Sequence, residues 1–107
     1  MSVISKTPIE KKITVQDSYK TIVKSDKYTT TGESIIIVKD VKLCELTLNS
    51  MSTKSVKIKA LSDTVVKADY SIDIKYDEIF LGNGASIDLE FVEDGWYVMS
   101  SDGLKDS

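Results

Sequence analysis

Four groups of side chains in this 107-residue chain have types and spacings that could do chemistry. Asp69, Asp73, Asp77 and Glu78 crowd into ten residues, and hard cations want several carboxylate oxygens around one point. Asp88 and Glu90 stand two apart, and a carboxylate pair on either side of a scissile bond is what glycoside hydrolysis requires. Lys54, Lys57, Lys59 and Lys67 could make a basic patch. Trp96 and Tyr97 offer ring faces on which a sugar could stack.

Each group also has a plainer reading. Asp73 falls on the polar phase of an alternating segment, and no D-x-D-x-D-G loop is present, so solvated surface charge is expected and no metal. Nothing marks Asp88 and Glu90 for a cleft. Lys57 and Lys59 share one strand face, but no aromatics interleave them and the chain has no arginine, which argues against nucleic acid. All fourteen basic residues are lysine, and histidine is absent too, which removes His-based triads, dyads and metal ligands. The single Cys44 excludes an internal disulfide and reads as a small half-buried strand residue. The expectation is a non-catalytic protein with no cofactor.

The elements that must position these residues are short strands. From Ile13 onward β-favouring runs recur about every ten residues, and no window holds a helical period. Ile13 to Gln16, Tyr19 to Lys24, Lys27 to Gly32, Ser34 to Lys39, Lys42 to Leu48, Ser55 to Leu61, Thr64 to Ala68, Ser71 to Tyr76 and Glu78 to Leu81 are the candidates. SIIIVK at Ser34 to Lys39 reads as a strand buried on both faces. Asn49 to Lys54 and Gly82-Asn83-Gly84 read as turns. The fold class is all-β: a small antiparallel sandwich or barrel, with a short β-helical stack as the alternative. Strand starts at Ser55, Ser71 and Ser86, about fifteen residues apart, hint at the stack. Residues 1–12 read as an extended arm, 13–101 as a single β-domain and 102–107 as a polar tail.

Ser86 to Ser101 is a β-hairpin on this reading. Asp94-Gly95 would form its turn, setting Glu93 opposite Trp96, Val92 opposite Tyr97 and Phe91 opposite Val98. One face then carries Leu89, Phe91, Trp96 and Val98, as a core or an oligomer interface, and the other carries Val92, Tyr97 and Met99. This stretch, with Ser86, Ile87, Leu89, Phe91, Val92, Asp94, Gly95, Trp96, Tyr97 and Val98, resembles the closing hairpin of small β-rich virion proteins of tailed bacteriophages: head fibres, capsid decoration proteins and tail-fibre segments. The family often has one or two more residues between the Gly and the Trp.

The resemblance implies a structural virion protein made in a host cytoplasm, a homotrimer attached to a capsid or other virion protein. The arm would then be the anchor, through Val3, Ile4, Pro8 and Ile9. The alternative is a receptor- or glycan-binding tail-fibre or adhesin module using Trp96, Tyr97 or Tyr76 on a host-surface glycan. An enzyme or small-molecule barrel is the third class. No apolar run approaches a membrane span, and MSVISKTPIEKK lacks a signal-peptide core, so no membrane partner is expected. Charge is split: residues 1–68 hold twelve lysines against seven acids, and residues 69–107 hold two against ten. The split suggests two solvated surfaces or complementarity between neighbouring copies.

Overall fold

A computed structural model describes residues 19–104, and among these the chain is all-β with no helix. Six strands form three stacked coils. The first coil holds β1 (Lys20–Val23) and β2 (Lys27–Thr29), the second β3 (Ile35–Val38) and β4 (Leu43–Leu48), the third β5 (Ser55–Ala60) and β6 (Asp63–Ile72). β1, β3 and β5 pair in parallel, as do β2, β4 and β6. Three more strands, β7 (Tyr76–Leu81), β8 (Ser86–Val92) and β9 (Gly95–Asp102), close one end. There β7 pairs antiparallel with β6, β8 antiparallel with β5, and β9 antiparallel with β8. The stack is therefore the alternative that describes this chain, with antiparallel pairing confined to the closing strands.

Columns of like side chains explain the stacking. Parallel register carries each inward residue onto an inward residue of the next coil. Ile36 lies beside Ile58, which lies beside Ile87, and Val38 lies beside Ala60. On the other sheet Leu46 lies beside Val66 and Ile79, and Cys44 beside Thr64 and Leu81. All of these but Ile79 are buried, and Ile79 packs against them. SIIIVK is not buried on both faces. Ile36 and Val38 point in, but Ile35 and Ile37 are half-exposed, because β1 and β5 lie in the same sheet and, among the described residues, no second layer covers its outside.

Two segments depart from their sequence pattern. Ser71 to Tyr76 is not an alternating strand: β6 ends at Ile72, and a turn at 73–75 reverses the chain into β7. Asp73 and Ile74 adopt φ of 51° and 73° there. The closing hairpin is also paired two residues away from the Asp-Gly expectation. Val92 faces Gly95, Phe91 faces Trp96 and Leu89 faces Val98, so Glu93 and Asp94 make the turn. Only Glu93 of that pair has positive φ, 60°, the φ pattern of a type II′ turn. A slip of two leaves each side chain on its face, whereas a slip of one would invert them. The Leu89, Phe91, Trp96 and Val98 face therefore survives, and Trp96 gains Ile72 of β6 as a second backbone neighbour.

Candidate functional site

Polar residues concentrate where the coils turn from the second sheet, β2 and β4, back to the first, β3 and β5. At this corner hydrogen bonds climb from coil to coil. The Asn49 N–H donates to Thr30 Oγ1 (2.9 Å), and Ser52 Oγ donates to the Thr30 carbonyl (2.8 Å). Ser50 donates its N–H (2.9 Å) and hydroxyl (2.7 Å) to Asp69 Oδ2, while Trp96 Nε1 donates to Asp69 Oδ1 (3.1 Å). One carboxylate thus joins the second coil, the third coil and the closing hairpin. Burial pushes the Asp69 carboxyl up, but the donors from Ser50 and Trp96 outweigh it and hold it below the usual range.

Glu33 is the buried acid of the same corner. It is fully inaccessible. Its carboxylate accepts from the Tyr28 hydroxyl, from the Thr31 N–H (2.8 Å) and from Thr31 Oγ1 (3.0 Å). Burial raises its pKa, and the hydrogen bond from Tyr28 followed by those from Thr31 lowers it further than burial lifts it. Tyr28 is pushed up in turn, by its own burial and by the Glu33 carboxylate. Nothing in the Thr-Thr-Gly-Glu sequence signals a buried carboxylate. The turn at Gly32, with φ 115° and its N–H on Thr53 Oγ1 (2.9 Å), brings Glu33 back under Tyr28.

An aromatic plug fills the adjoining mouth of the core. Trp96 is fully buried, Phe91 half-buried and Tyr70 47% exposed. Their rings step outward at centroid distances of 5.3 Å and 5.2 Å with tilted planes, and Lys54 Nζ lies 4.8 Å from the Phe91 centroid. The turn at 73–75 clamps this plug. The Asp73 N–H donates to the Trp96 carbonyl (2.8 Å), and Asp73 Oδ1 accepts from the Val98 N–H (3.0 Å). Positive φ is costly for a residue with a β-branch such as Ile74. The two bonds to β9 are what the strained turn secures.

The candidates from the sequence are thereby dispersed. Asp69 and Asp73 are taken up by the corner and the clamp, and Glu78 lies beside Lys67 across β6 and β7. Among the described residues no three His, Cys, Asp or Glu side chains gather to hold a metal. Asp88 accepts from Ser100 Oγ (2.9 Å) and Glu90 from Ser55 Oγ (2.6 Å). Lys57 and Lys59 do share the outer face of β5, but Lys67 is on the other sheet beside Glu45 (3.7 Å) and Lys54 is on Phe91. Cys44 is fully buried rather than half-buried, and burial raises its thiol pKa. Trp96 has no free ring face for a sugar, while Tyr76 is 44% exposed and Tyr97 half-buried. Leu89 is buried, and Phe91 and Val98 pack on the core within one chain. Val3, Ile4, Pro8 and Ile9 lie outside the described residues.

One surface feature escaped the sequence reading. A hollow of about 270 Å³ is lined by Asp63, Phe80, Gly82, Asn83 and Gly103. Phe80 is 55% exposed there, and Asp63 Oδ1 accepts the Asn83 N–H (3.2 Å). Asp63 and Gly103 are far in sequence from Phe80, Gly82 and Asn83, and the pairing of β6 with β7 brings Asp63 near Asn83. Comparison with known protein families, with curated proteins and with solved structures finds no match to this chain.

Proposed function

We propose that the chain is a non-catalytic structural subunit of a tailed-phage virion surface, a head-fibre or capsid-decoration protein acting as a homotrimer and held to the shell through Val3, Ile4, Pro8 and Ile9. The observation that carries this reading is the use to which the reactive side chains are put. Glu33 ties its own turn to Thr31 and Tyr28, Asp69 binds coil to coil and coil to cap, and Asp73 binds the turn at 73–75 to β9. Asp88 and Glu90 bridge neighbouring strands through serine hydroxyls. A chain whose acids are committed to its own rigidity suits a passive scaffold, and the closing hairpin resembles those of phage surface proteins.

Particles purified on a gradient from the culture that makes the protein provide the test. The chain should band with the particles, and a variant lacking residues 1–12 should fold but no longer attach. Recovery of the full chain only in the particle-free fraction would remove the reading. Light scattering behind a sizing column should give three times 11.9 kDa.

The hollow beside Phe80 favours a second reading, a glycan-binding module. A ring face flanked by the Asp63 carboxylate and the Asn83 amide has the mixed apolar and polar character that a sugar requires. Chemical-shift changes at Phe80 and Asn83 on titration with host-surface oligosaccharides would support it.

A further inference from the structure

β7, β8 and β9 cap one end of the stack, and the first coil lies at the other. Among the described residues β1 pairs only with β3 and β2 only with β4, so each sheet has an open edge there. Inward side chains reach that edge. Thr21 and Tyr28 are half-buried, Val23 and Thr30 are buried, and Tyr28 packs on the core. An open edge pairs with an extended segment, and the terminal coil of a stack needs a cover. The chain itself arrives at this edge. The Tyr19 carbonyl accepts from the Ser34 N–H (2.9 Å), and the Ser34 carbonyl accepts from the Lys57 N–H (2.9 Å). Tyr19 therefore enters the first sheet where the two later coils enter it, and both of those come round a corner from the second sheet, 30–34 after β2 and 49–54 after β4. The residues before Tyr19 lie outside those described, and they include the alternating run Ile13-Thr14-Val15-Gln16.

Spacing matches this run to β2. Tyr28 and Thr30, which point inward, stand eight and six residues before Ile36. Ile36 pairs with Thr21, and Ile13 and Val15 stand eight and six residues before Thr21. A corner as long as 30–34 therefore lays Ile13 beside Tyr28 and Val15 beside Thr30. Thr14 then falls outward beside Thr29, which already lies beside Thr47. The longer corner at 49–54 behaves differently. Leu46, the neighbour of Tyr28, stands twelve residues before Ile58, the neighbour of Ile36. Copied to the first coil, that length would bring Ile9 to Tyr28 and Lys11 to Thr30, with a lysine turned toward the core. Of the two, only the short corner keeps both inward positions apolar.

We propose that the open edge of β2 is the docking site of this chain's own residues 13–16, which add to it as a parallel strand and cover the first-coil end with Ile13 and Val15. Backbone bonds supply the pairing, and the two inward side chains select the register. The tether favours this occupant over a second copy. A segment joined to β1 by one corner is held at a high effective concentration beside the edge. The contact is independent of the virion reading, which assigns attachment to residues 1–12, and either can hold without the other.

Hydrogen exchange of the full chain, read residue by residue by nuclear magnetic resonance, provides the test. The Thr30 N–H donates to the Thr47 carbonyl and the Glu45 N–H to the Asp26 carbonyl, so Asp26, Tyr28 and Thr30 turn their backbone to β4, and Lys27 and Thr29 turn theirs to the open edge. On β1 the carbonyls of Tyr19 and Val23 face β3, so the amides of Lys20 and Ile22 face its open edge. In the proposed register the Thr29 N–H meets the Ile13 carbonyl. Its protection should exceed that of Lys20 and Ile22 by about tenfold or more. Ile13→Asp combined with Val15→Asp should bring Thr29 down to the level of Lys20 and Ile22, with unchanged circular dichroism. Thr14→Asp, on the outward phase, should leave Thr29 protected. Equal protection of Thr29, Lys20 and Ile22 in the parent would overturn the contact, and that comparison decides even if the double variant does not fold. Protection that survives the double substitution would also overturn it. So would protection that rises with protein concentration, which would give the edge to a second copy.

Discussion

In the stack, β1, β3 and β5 run in parallel and place aliphatic on aliphatic in the inward columns, Ile36 on Ile58 and Val23 on Val38 on Ala60. In the cap, β7 and β8 reverse direction, and the load passes to rings and carboxylates. The corner of the stack is hydroxyl and amide around two acids, Glu33 and Asp69, whereas the cap is acid-rich and bends through Asp73, Ile74 and Glu93 at positive φ. The difference follows from what each region must do. A coil finishes its hydrogen bonds on an identical neighbour, so the same residue types suffice again and again. The last coil has no such neighbour. Strand reversal, a large aromatic and strained turns are the means by which the chain brings its core to a close.

Removing the centre of the cap should have the largest effect. Trp96→Ala empties a fully buried site and leaves Asp69 with one partner fewer, for an expected loss of about 3–5 kcal/mol in a denaturant titration. Hydrogen exchange gives the sharper reading. Amides of β8 and β9 should lose protection first while those of β3 and β4 keep theirs. If all accelerate equally, stack and cap are one cooperative unit and the contrast between them is only one of composition.

Glu33→Ala comes next. It removes the buried acceptor of the half-buried Tyr28 hydroxyl and of the Thr31 N–H, at about 1–3 kcal/mol. Melting as a function of pH distinguishes the charge from the packing. The folded chain holds the Glu33 and Asp69 carboxyls below their ordinary values near about 4, so the unfolded chain takes up protons first as the solution is acidified. Their contribution is present in full above that value and is lost as pH falls through the folded pKa values. The melting temperature should drop on acidification, and less steeply in Glu33→Gln, which has one titrating group fewer.

The smallest effect tests the strained turn. Ile74 is 77% exposed and sits at φ 73°, so Ile74→Gly should stabilise the chain by about 1 kcal/mol. Asp73→Gly relieves a similar strain but removes the bond to the Val98 N–H, and its net effect should be destabilising. A gain from both would mean that the clamp on β9 adds little.

The strands of the stack were legible because a two-residue alternation survives without knowledge of partners. β4 and β5 alternate in burial as their sequences do. Their arrangement was not legible. Lys20, Ile35 and Lys57 stack in one column, yet the first two are 15 residues apart and the second two 22, so no fixed period exists to detect. The Ser55, Ser71 and Ser86 spacing is unrelated to the coils: Ser71 lies at the end of β6, and Ser55 and Ser86 belong to antiparallel partners. Asp94-Gly95 is a strong local turn signal, but it yields to the register that brings Trp96 against Phe91, Ile72 and Asp69. Glu33 was invisible for a related reason, since its partners come from a turn whose shape depends on the coil beneath it.

The burial of Cys44 has a practical consequence. Its thiol faces the interior of the second coil, beside Thr64, where no reagent can reach it while the coils stay shut. Its modification rate by a small disulfide reagent is therefore a clock for the opening of the middle of the molecule. The thiol sits on β4 of the stack and the indole on β9 of the cap, so one chain carries a native reporter in each half.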